Sequence, residues 1–113
     1  MKDVNGKIQY KGKDYKFVFN LNVLEEIQEK YGSFEKWGEL TSSDEPNIKA
    51  VIFGFTAMLN EAIDMDNEEN NTKEQPLSEK TVGRMLTEYG FGKATQTMID
   101  TVKESTQSVE KNA

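Results

Sequence analysis

The stretch of sequence that decides the fold runs from Tyr15 to Ser33 and reads YKFVFNLNVLEEIQEKYGS. Aromatic side chains alternate with other residues over positions 15–19, which is typical of a β-strand with one buried face. From Leu21 onward the apolar residues recur every three or four positions, which predicts an amphipathic helix as far as Tyr31. A strand therefore leads directly into a helix.

Residues at both ends of this predicted helix, 21–31, are of the types that cap helices. Asn20 or Asn22 can accept a hydrogen bond from a free N–H group of the first turn. Gly32 stands where glycine commonly ends a helix, and Ser33 can cap a second helix that follows.

A β-hairpin over residues 7–20 precedes the helix. Its strands are predicted at 7–10 and 15–20, joined by a turn over residues 11–14. Val18 interrupts the alternation, which indicates either partial burial of the second face or an exposed edge residue. Because an isolated hairpin is only marginally stable in water, this one must pack on the helices or pair with another chain.

The rest of the chain predicts four further helices, the longest of which forms the core. That helix, 47–63, opens at Pro46 and is apolar over a broad face, which Phe53 and Ala57 widen further. Gly54 in its middle predicts the close approach of another helix, since glycine costs about 1 kcal/mol in a helix interior. The other predicted segments are helices 34–40, 78–89 and 93–103, an acidic loop over 64–76 and a polar tail over 104–113.

Length and composition place these elements in a single α+β domain. The chain has 113 residues, of which 35% are hydrophobic and 30% are charged, enough for one modest core under a highly solvated surface. We predict one domain over residues 1–113. Its N-terminal antiparallel hairpin packs on a mostly helical part, residues 21–103, of about five helices.

The sequence contains no cysteine and no histidine, which narrows its chemistry. Thiol nucleophiles, disulfides and Cys/His zinc sites are excluded, as is the side chain that most often acts as acid or base near neutral pH. We therefore expect a non-catalytic protein without a cofactor or a metal. No apolar run is long enough to span a bilayer, and the N-terminus lacks the apolar core of a signal peptide. We expect a cytoplasmic protein without a membrane partner.

The net charge of −6 is unevenly distributed. Residues 1–20 contain five lysines against two aspartates, whereas residues 61–80 contain seven acidic residues against two lysines. An acidic surface disfavours association with nucleic acid, so we expect no nucleic-acid partner. We interpret the hairpin lysines as a solvated face that protects strand edges.

The acidic segment that begins at Asp64 invites a calcium-binding interpretation. Acidic residues at positions 64, 66 and 68 match the start of an EF-hand loop. However, Glu69 stands where that loop needs glycine, and Gln75 stands where it needs a bidentate glutamate. We interpret the segment as a solvated acidic loop and predict no metal site.

The remaining candidates for a site have simpler interpretations. Neighbouring carboxylates, as at Glu25 and Glu26 or at Glu68 and Glu69, face different directions on a helix. The glycine-rich corner 90–93 lacks the spacing of a phosphate-binding loop. We therefore predict no catalytic residue and leave the partner-binding residues unassigned. The aromatic residues that could either form the core or anchor a partner are Tyr31, Phe34, Trp37, Tyr89 and Phe91.

The order of these elements resembles the small tail-assembly chaperones of long-tailed, siphovirus-like phages and prophages. The similar residues are the run from Gly12 to Ile27, in which a basic hairpin leads into Asn-Leu-Asn-Val-Leu-Glu-Glu, and the turn over residues 31–33. The apolar helix at 48–63 and the capped helix at 77–89 also resemble that family. The resemblance extends over residues 5–102. The residues that carry it are structural ones and do not form a binding or catalytic site.

The resemblance implies a chaperone that acts during tail morphogenesis and is absent from the finished virion. Its implied partner is the tape-measure protein, with the tail-tube protein as a second candidate. The chaperone would shield apolar helical segments of the tape measure until tube subunits polymerise around it. Helices bearing Met58, Met85 and Met98 would supply adaptable apolar contacts.

The resemblance also leads us to expect a longer product made by a minus-one ribosomal frameshift. The tripeptide Glu110-Lys111-Asn112 can be encoded by GAA-AAA-AAC, which contains the slippery heptamer A-AAA-AAC. A GAG codon at Glu110 or an AAG codon at Lys111 would exclude that heptamer.

Two other non-catalytic functions stay open at this stage. One is a structural minor tail or connector protein of a phage or prophage, which would persist in purified particles. The other is a small acidic protein-binding adaptor. Pairing between the edges of two hairpins would also allow a homo-oligomer.

Overall fold

The computed structural model describes residues 4–111, with side-chain detail over residues 5–106. The described chain forms two strands followed by five helices, so the predicted α+β class with an N-terminal antiparallel hairpin is confirmed. No helix of the described chain is both long and apolar enough to cross a membrane. The elements are β1 (Val4–Tyr10), β2 (Lys13–Phe19), α1 (Leu21–Tyr31), α2 (Phe34–Ser42), α3 (Ile48–Asn70), α4 (Glu79–Tyr89) and α5 (Phe91–Lys111).

The hairpin begins earlier and turns more tightly than predicted. Its strands meet in a two-residue turn at Lys11 and Gly12, whose φ angles of 50° and 75° are both positive. Such a turn follows the right-handed twist of paired strands, which explains why it forms instead of the four-residue turn predicted over 11–14. The resulting register places Gly6 opposite Phe17.

Helices of the same chain cover the hairpin. Phe17 of β2 is buried and meets Phe55 of α3 edge-on, with 5.1 Å between the ring centroids. Gly6 makes room for the Phe17 ring, since a Cβ on that glycine would overlap it. Val18, on the opposite face of the hairpin, is only 2% exposed and is therefore not an exposed edge residue. The first strand also contacts α4 and α5.

The caps predicted for α1, α2 and α4 are present. The Asn20 side chain accepts a hydrogen bond from the Val23 N–H at 3.2 Å, which identifies Asn20 as the cap of α1. Gly32 follows the last residue of α1 with a φ of 89°. The hydroxyls of Ser33 and Ser78 cap α2 and α4 in the same way as Asn20 caps α1.

The central helix is α3, which contacts β2, α1, α2 and α4. It is capped by Asn47, so Pro46 precedes the helix instead of opening it. The indole of Trp37 lies against Gly54, which confirms the predicted close approach of another helix at that glycine. Its Nε1–H donates to the Ala50 carbonyl at 3.0 Å. Trp37 is therefore a core residue and not a partner-binding anchor.

The acidic loop predicted over 64–76 is wrong in its first half, because α3 continues to Asn70. No glycine or proline interrupts the chain between Asp64 and Asn70, and acidic residues are tolerated in a helix whose other face is buried. The helix ends at Asn71, whose φ of 54° is left-handed, as is common for asparagine at this position.

Two asparagine side chains of α3, Asn60 and Asn67, hold the segment that follows. We call them the asparagine pair. The amide of Asn67 donates to the Glu74 carbonyl at 3.0 Å and accepts from the Glu74 N–H at 2.9 Å. The amide of Asn60 donates to the Leu77 carbonyl at 3.0 Å and accepts from its N–H at 2.7 Å. Residues 71–78 are therefore fixed alongside α3.

The last helix is longer at both ends than the predicted segment 93–103. It begins at Phe91, so that Gly90 alone forms the corner after α4, with a φ of 109°. It also continues to Lys111, which corrects the polar tail predicted over 104–113 for its described part. Ser105, within this extension of the helix, is buried. The last two residues lie outside the described part of the chain. They include Asn112, whose codon would end the slippery heptamer.

Candidate functional site

A groove of about 500 Å³ opens on the surface between α1, the middle of α3 and the start of α4. Four residues of α3 form its floor: Phe53, Thr56, Ala57 and Asn60. Their spacing of three, four and seven positions places them on one face of the helix. The middle of α3 thus keeps a two-turn face that no other element of the described chain fully covers.

The walls of the groove are charged. On one side α1 contributes Glu26, Glu29 and Lys30, and on the other side the first residue of α4 contributes Glu79. Three carboxylates therefore lie around a floor that is partly apolar. A site of this kind offers apolar contact at its centre and negative charge at its rim.

One end of the floor is aromatic. The rings of Phe53 and Tyr31 meet edge-on, with 5.6 Å between their centroids and an angle of 77° between their planes. The Lys30 ammonium group lies 5.7 Å from the centroid of the Phe53 ring, within the range of a cation–π contact. Burial raises the pKa of the Tyr31 hydroxyl, and the negative charge of Glu79 raises it further.

The carboxylates crowd most closely around Glu26. Burial raises the pKa of Glu26 above its ordinary value of 4.5, and neighbouring negative charges raise it further. The charged form of this side chain is therefore disfavoured in the fold, and an added positive charge nearby would favour it. The neighbours responsible are Glu61 and Asp64 on α3, followed by Glu25 and Glu29 on α1.

Polar contacts fix the elements that form the groove. Asn60 lies in its floor and also holds the backbone of Leu77, which positions the start of α4 and its wall. On the other side, the amide groups of Asn20 and Asn22 donate to Glu61 at 2.6 and 3.0 Å, which ties the start of α1 to α3. Both walls are thus attached to the helix that forms the floor.

A second, smaller depression of about 190 Å³ lies between α2 and α5. Phe34, Trp37, Ile99 and Val102 are among its mainly apolar lining residues. Lys103 stands at its edge. It has no comparable rim of charge, so its shape alone does not indicate which kind of molecule would occupy it.

The acidic residues first considered for calcium do not form a loop. Asp64, Asp66 and Glu68 all belong to α3, where residues two positions apart face different directions. Asp66 forms an ion pair with Lys16 of the hairpin at 3.6 Å. Among the described residues, no group of three or more acidic side chains is arranged to hold a metal ion.

The methionines expected to contact a partner are buried instead. Met58, Met85 and Met98 have no solvent exposure, because each lies on the face of its helix that packs on the other helices. The expectation that they offer adaptable contacts is therefore wrong for this conformation. Tyr31 and Phe34 are half-buried, and Tyr31 contacts the floor of the groove through Phe53.

The groove itself is not evident from the sequence, although one signal pointed toward it. Phe53 and Ala57 widen the apolar face of the central helix beyond what a single packing surface needs. That excess corresponds to the groove floor. The carboxylates of the walls could not be grouped beforehand, because they come from α1 and α4, which are far apart in sequence.

Comparison with known proteins gives no family to which the chain can be assigned. No family model matches it. No curated protein and no solved structure matches it either.

Proposed function

We propose that this chain is a non-catalytic chaperone of phage tail assembly that binds the tape-measure protein in the host cytoplasm. The observation that supports this best is the groove, whose floor is a partly apolar helix face and whose rim is acidic. Such a surface suits a helical protein segment better than a small substrate, since helix-in-groove recognition uses residues at this spacing.

The resemblance to tail-assembly chaperones adds a second line of support. It rests on the run from Gly12 to Ile27, which contains the second turn residue, the whole of β2 and the first seven residues of α1. A long apolar helical protein needs shielding before its assembly partner arrives, and a small acidic domain with net charge −6 would keep such a complex dispersed.

Co-expression tests the proposal. The chain is produced together with the longest helical protein encoded beside its gene, and the soluble fraction of that protein is compared with expression alone. We expect the long protein to become soluble and to co-elute with the chain in size-exclusion chromatography. Purified particles should lack the chain.

Two results would overturn the proposal in different directions. Stoichiometric presence of the chain in purified particles would indicate a minor tail or connector protein. No effect on the long protein, together with capture of a different partner, would indicate an acidic adaptor. Sequencing the codons for residues 110–112 gives an independent check, since the slippery heptamer followed by an overlapping frame would support the tail-assembly context.

A further inference from the structure

We infer that the groove between α1, α3 and α4 binds a basic amphipathic helix of a partner protein. The inference deepens the proposed function, on which the identity of that partner rests. Its grounds are the shape of the floor, the charge of the walls and the charge distribution of the chain itself.

The shape of the floor favours a helix. Its residues from Phe53 to Asn60 span two turns of α3, roughly 10 Å along the helix axis. Helices α1 and α4 flank this stretch, since each of them packs on α3. A helix of the partner can lie in the gap between α1 and α4 and place its apolar residues between Phe53 and Ala57, in the way that helices pack ridges into grooves.

The charge of the walls favours lysine and arginine beside those apolar residues. Glu26 and Glu29 stand on one side and Glu79 on the other, so a helix in the groove has carboxylates along both flanks. Glu61 and Asp64 add negative charge close to Glu26. Cationic side chains of a bound helix would relieve the repulsion among these groups.

A second copy of the chain is a poor occupant. The chain carries a net charge of −6, and its densest group of basic residues is in the hairpin, whose exposed lysines are Lys7, Lys11, Lys13 and Lys16. A hairpin does not present the helical spacing of the groove floor. Nucleic acid is disfavoured as well, because its phosphates would face three carboxylates.

Lys30 gives the inference a distinctive test. Among the described side chains that line the groove it is the one cation, and its ammonium group lies over the Phe53 ring that a bound helix would cover. A basic ligand has to displace this group against like charge. Replacing Lys30 with glutamate should therefore strengthen binding, a result that a purely structural role for the groove would not produce.

The experiment uses a fluorescent peptide of about 18 residues built from leucine and lysine, with leucine at i, i+3, i+4 and i+7. Binding is followed by fluorescence anisotropy. A peptide of the same pattern with glutamate in place of lysine serves as the ligand control. We expect binding of the basic peptide, weakening as salt is raised, and no binding of the acidic one.

Variants of the full chain locate the site. Ala57→Arg places a large side chain on the floor, and Glu29→Lys reverses the sign of one charge in the α1 wall. Each should weaken binding about tenfold or more. Lys30→Glu should strengthen it several-fold. Glu39→Lys is the matched control, because Glu39 is an exposed glutamate of α2 that does not line the groove, and its effect should stay within about twofold. Thermal unfolding of each variant establishes that it is folded.

The outcomes separate this inference from the proposed function. If the tape-measure protein is kept soluble equally well by the parent chain, Ala57→Arg and Glu29→Lys, the function stands and the groove is overturned. If the basic peptide binds and all three variants change its affinity as expected, while the chain does not keep the tape-measure protein soluble, the groove stands and the function fails. A concentration-dependent mass of the chain alone that Ala57→Arg abolishes would identify a second copy as the occupant and overturn the inference.

Discussion

The Trp37 indole lies directly against the backbone of Gly54, where α2 packs on α3. A Cβ on Gly54 would stand 3.1 Å from Cε2 of the ring and would overlap the neighbouring Cζ2 atom. The ring cannot shift easily, because its Nε1–H is bonded to the Ala50 carbonyl. We therefore expect Gly54→Ala to destabilise the protein by about 1–3 kcal/mol and to lower its Tm by several degrees in a thermal melt.

Gly38 supplies the matched control for this prediction. It also lies within a helix, but a Cβ there would meet no atom within 4 Å. Gly38→Ala should therefore stabilise the protein by about 0.5–1 kcal/mol through the helix preference of alanine. Equal shifts of Tm in the two variants would show that the contact between Trp37 and Gly54 is unimportant.

The hairpin turn contains a lysine in a conformation that suits asparagine better. Lys11 has a φ of 50° and precedes Gly12, so Lys11→Asn creates the Asn-Gly pair favoured in this type of turn. The bond from the Lys11 backbone N–H to Glu88, 3.0 Å long, does not depend on the side chain. We expect a gain of about 0.5 kcal/mol, seen as a higher urea midpoint.

Lys13→Asn is the control for the turn. Lys13 lies over the Tyr15 ring at 5.0 Å, much as Lys11 lies over Tyr10 at 5.3 Å, so both substitutions lose a similar exposed cation–π contact. Of these two positions, 11 and 13, only position 11 has a positive φ. Lys13→Asn should lower the midpoint, since asparagine is disfavoured in strands. A gain at position 13 equal to that at position 11 would argue against the conformational explanation.

Removing one member of the asparagine pair should loosen the segment before α4. Asn60→Ala deprives both backbone groups of Leu77 of their partner, at a cost of about 1–3 kcal/mol. Hydrogen exchange at the Leu77 amide should accelerate more than exchange in α5. Asn70→Ala, at the exposed end of the same helix, should leave the Leu77 amide protected. Unchanged protection in Asn60→Ala would contradict the role of this side chain.

Neutralising Glu26 should stabilise the protein at neutral pH. Its pKa is raised in the fold by burial and by the charges of Glu61, Asp64, Glu25 and Glu29, so the ionised form is less stable folded than unfolded. Glu26→Gln removes this cost, with an expected gain within about 0.5 kcal/mol because the side chain is largely exposed.

The pH dependence of that gain gives the check. The gain in Tm should be present at pH 7 and disappear as the pH falls below the ordinary value of 4.5, where the parent side chain is itself protonated. Added salt should reduce it. Glu39→Gln, on an exposed face of α2, is the comparison. A gain in Glu26→Gln that persists at pH 3 would show that charge is not its cause.

The parts of this fold that were predicted correctly depend on residues close in sequence. Asn20, Ser33 and Ser78 cap helices through bonds to residues three positions ahead, so the sequence pattern alone reveals them. The close approach at Gly54 was also predictable, because a glycine inside an apolar helix needs a packing reason.

The parts that were missed depend on residues far apart in sequence. The last seven residues of α3 were predicted as a loop because their acidic composition resembles a solvated segment, and nothing local shows that Asn67 and Asn60 bind the returning chain. The groove was missed for a similar reason. Apolar spacing shows that α3 is buried on several sides, but not which of its faces its neighbours leave open.

The asparagine pair also sets the length of the chain that it holds. Asn60 and Asn67 are seven positions apart along the helix, and Glu74 and Leu77 are three positions apart along the returning chain. Both distances are roughly 10 Å, since a helix rises 1.5 Å per residue and an extended chain about 3.3 Å. One residue inserted between Glu74 and Leu77 would let either asparagine find its backbone partner but not both at once. This exposed connection should therefore tolerate changes of side chain at Gln75 far better than any change in its number of residues.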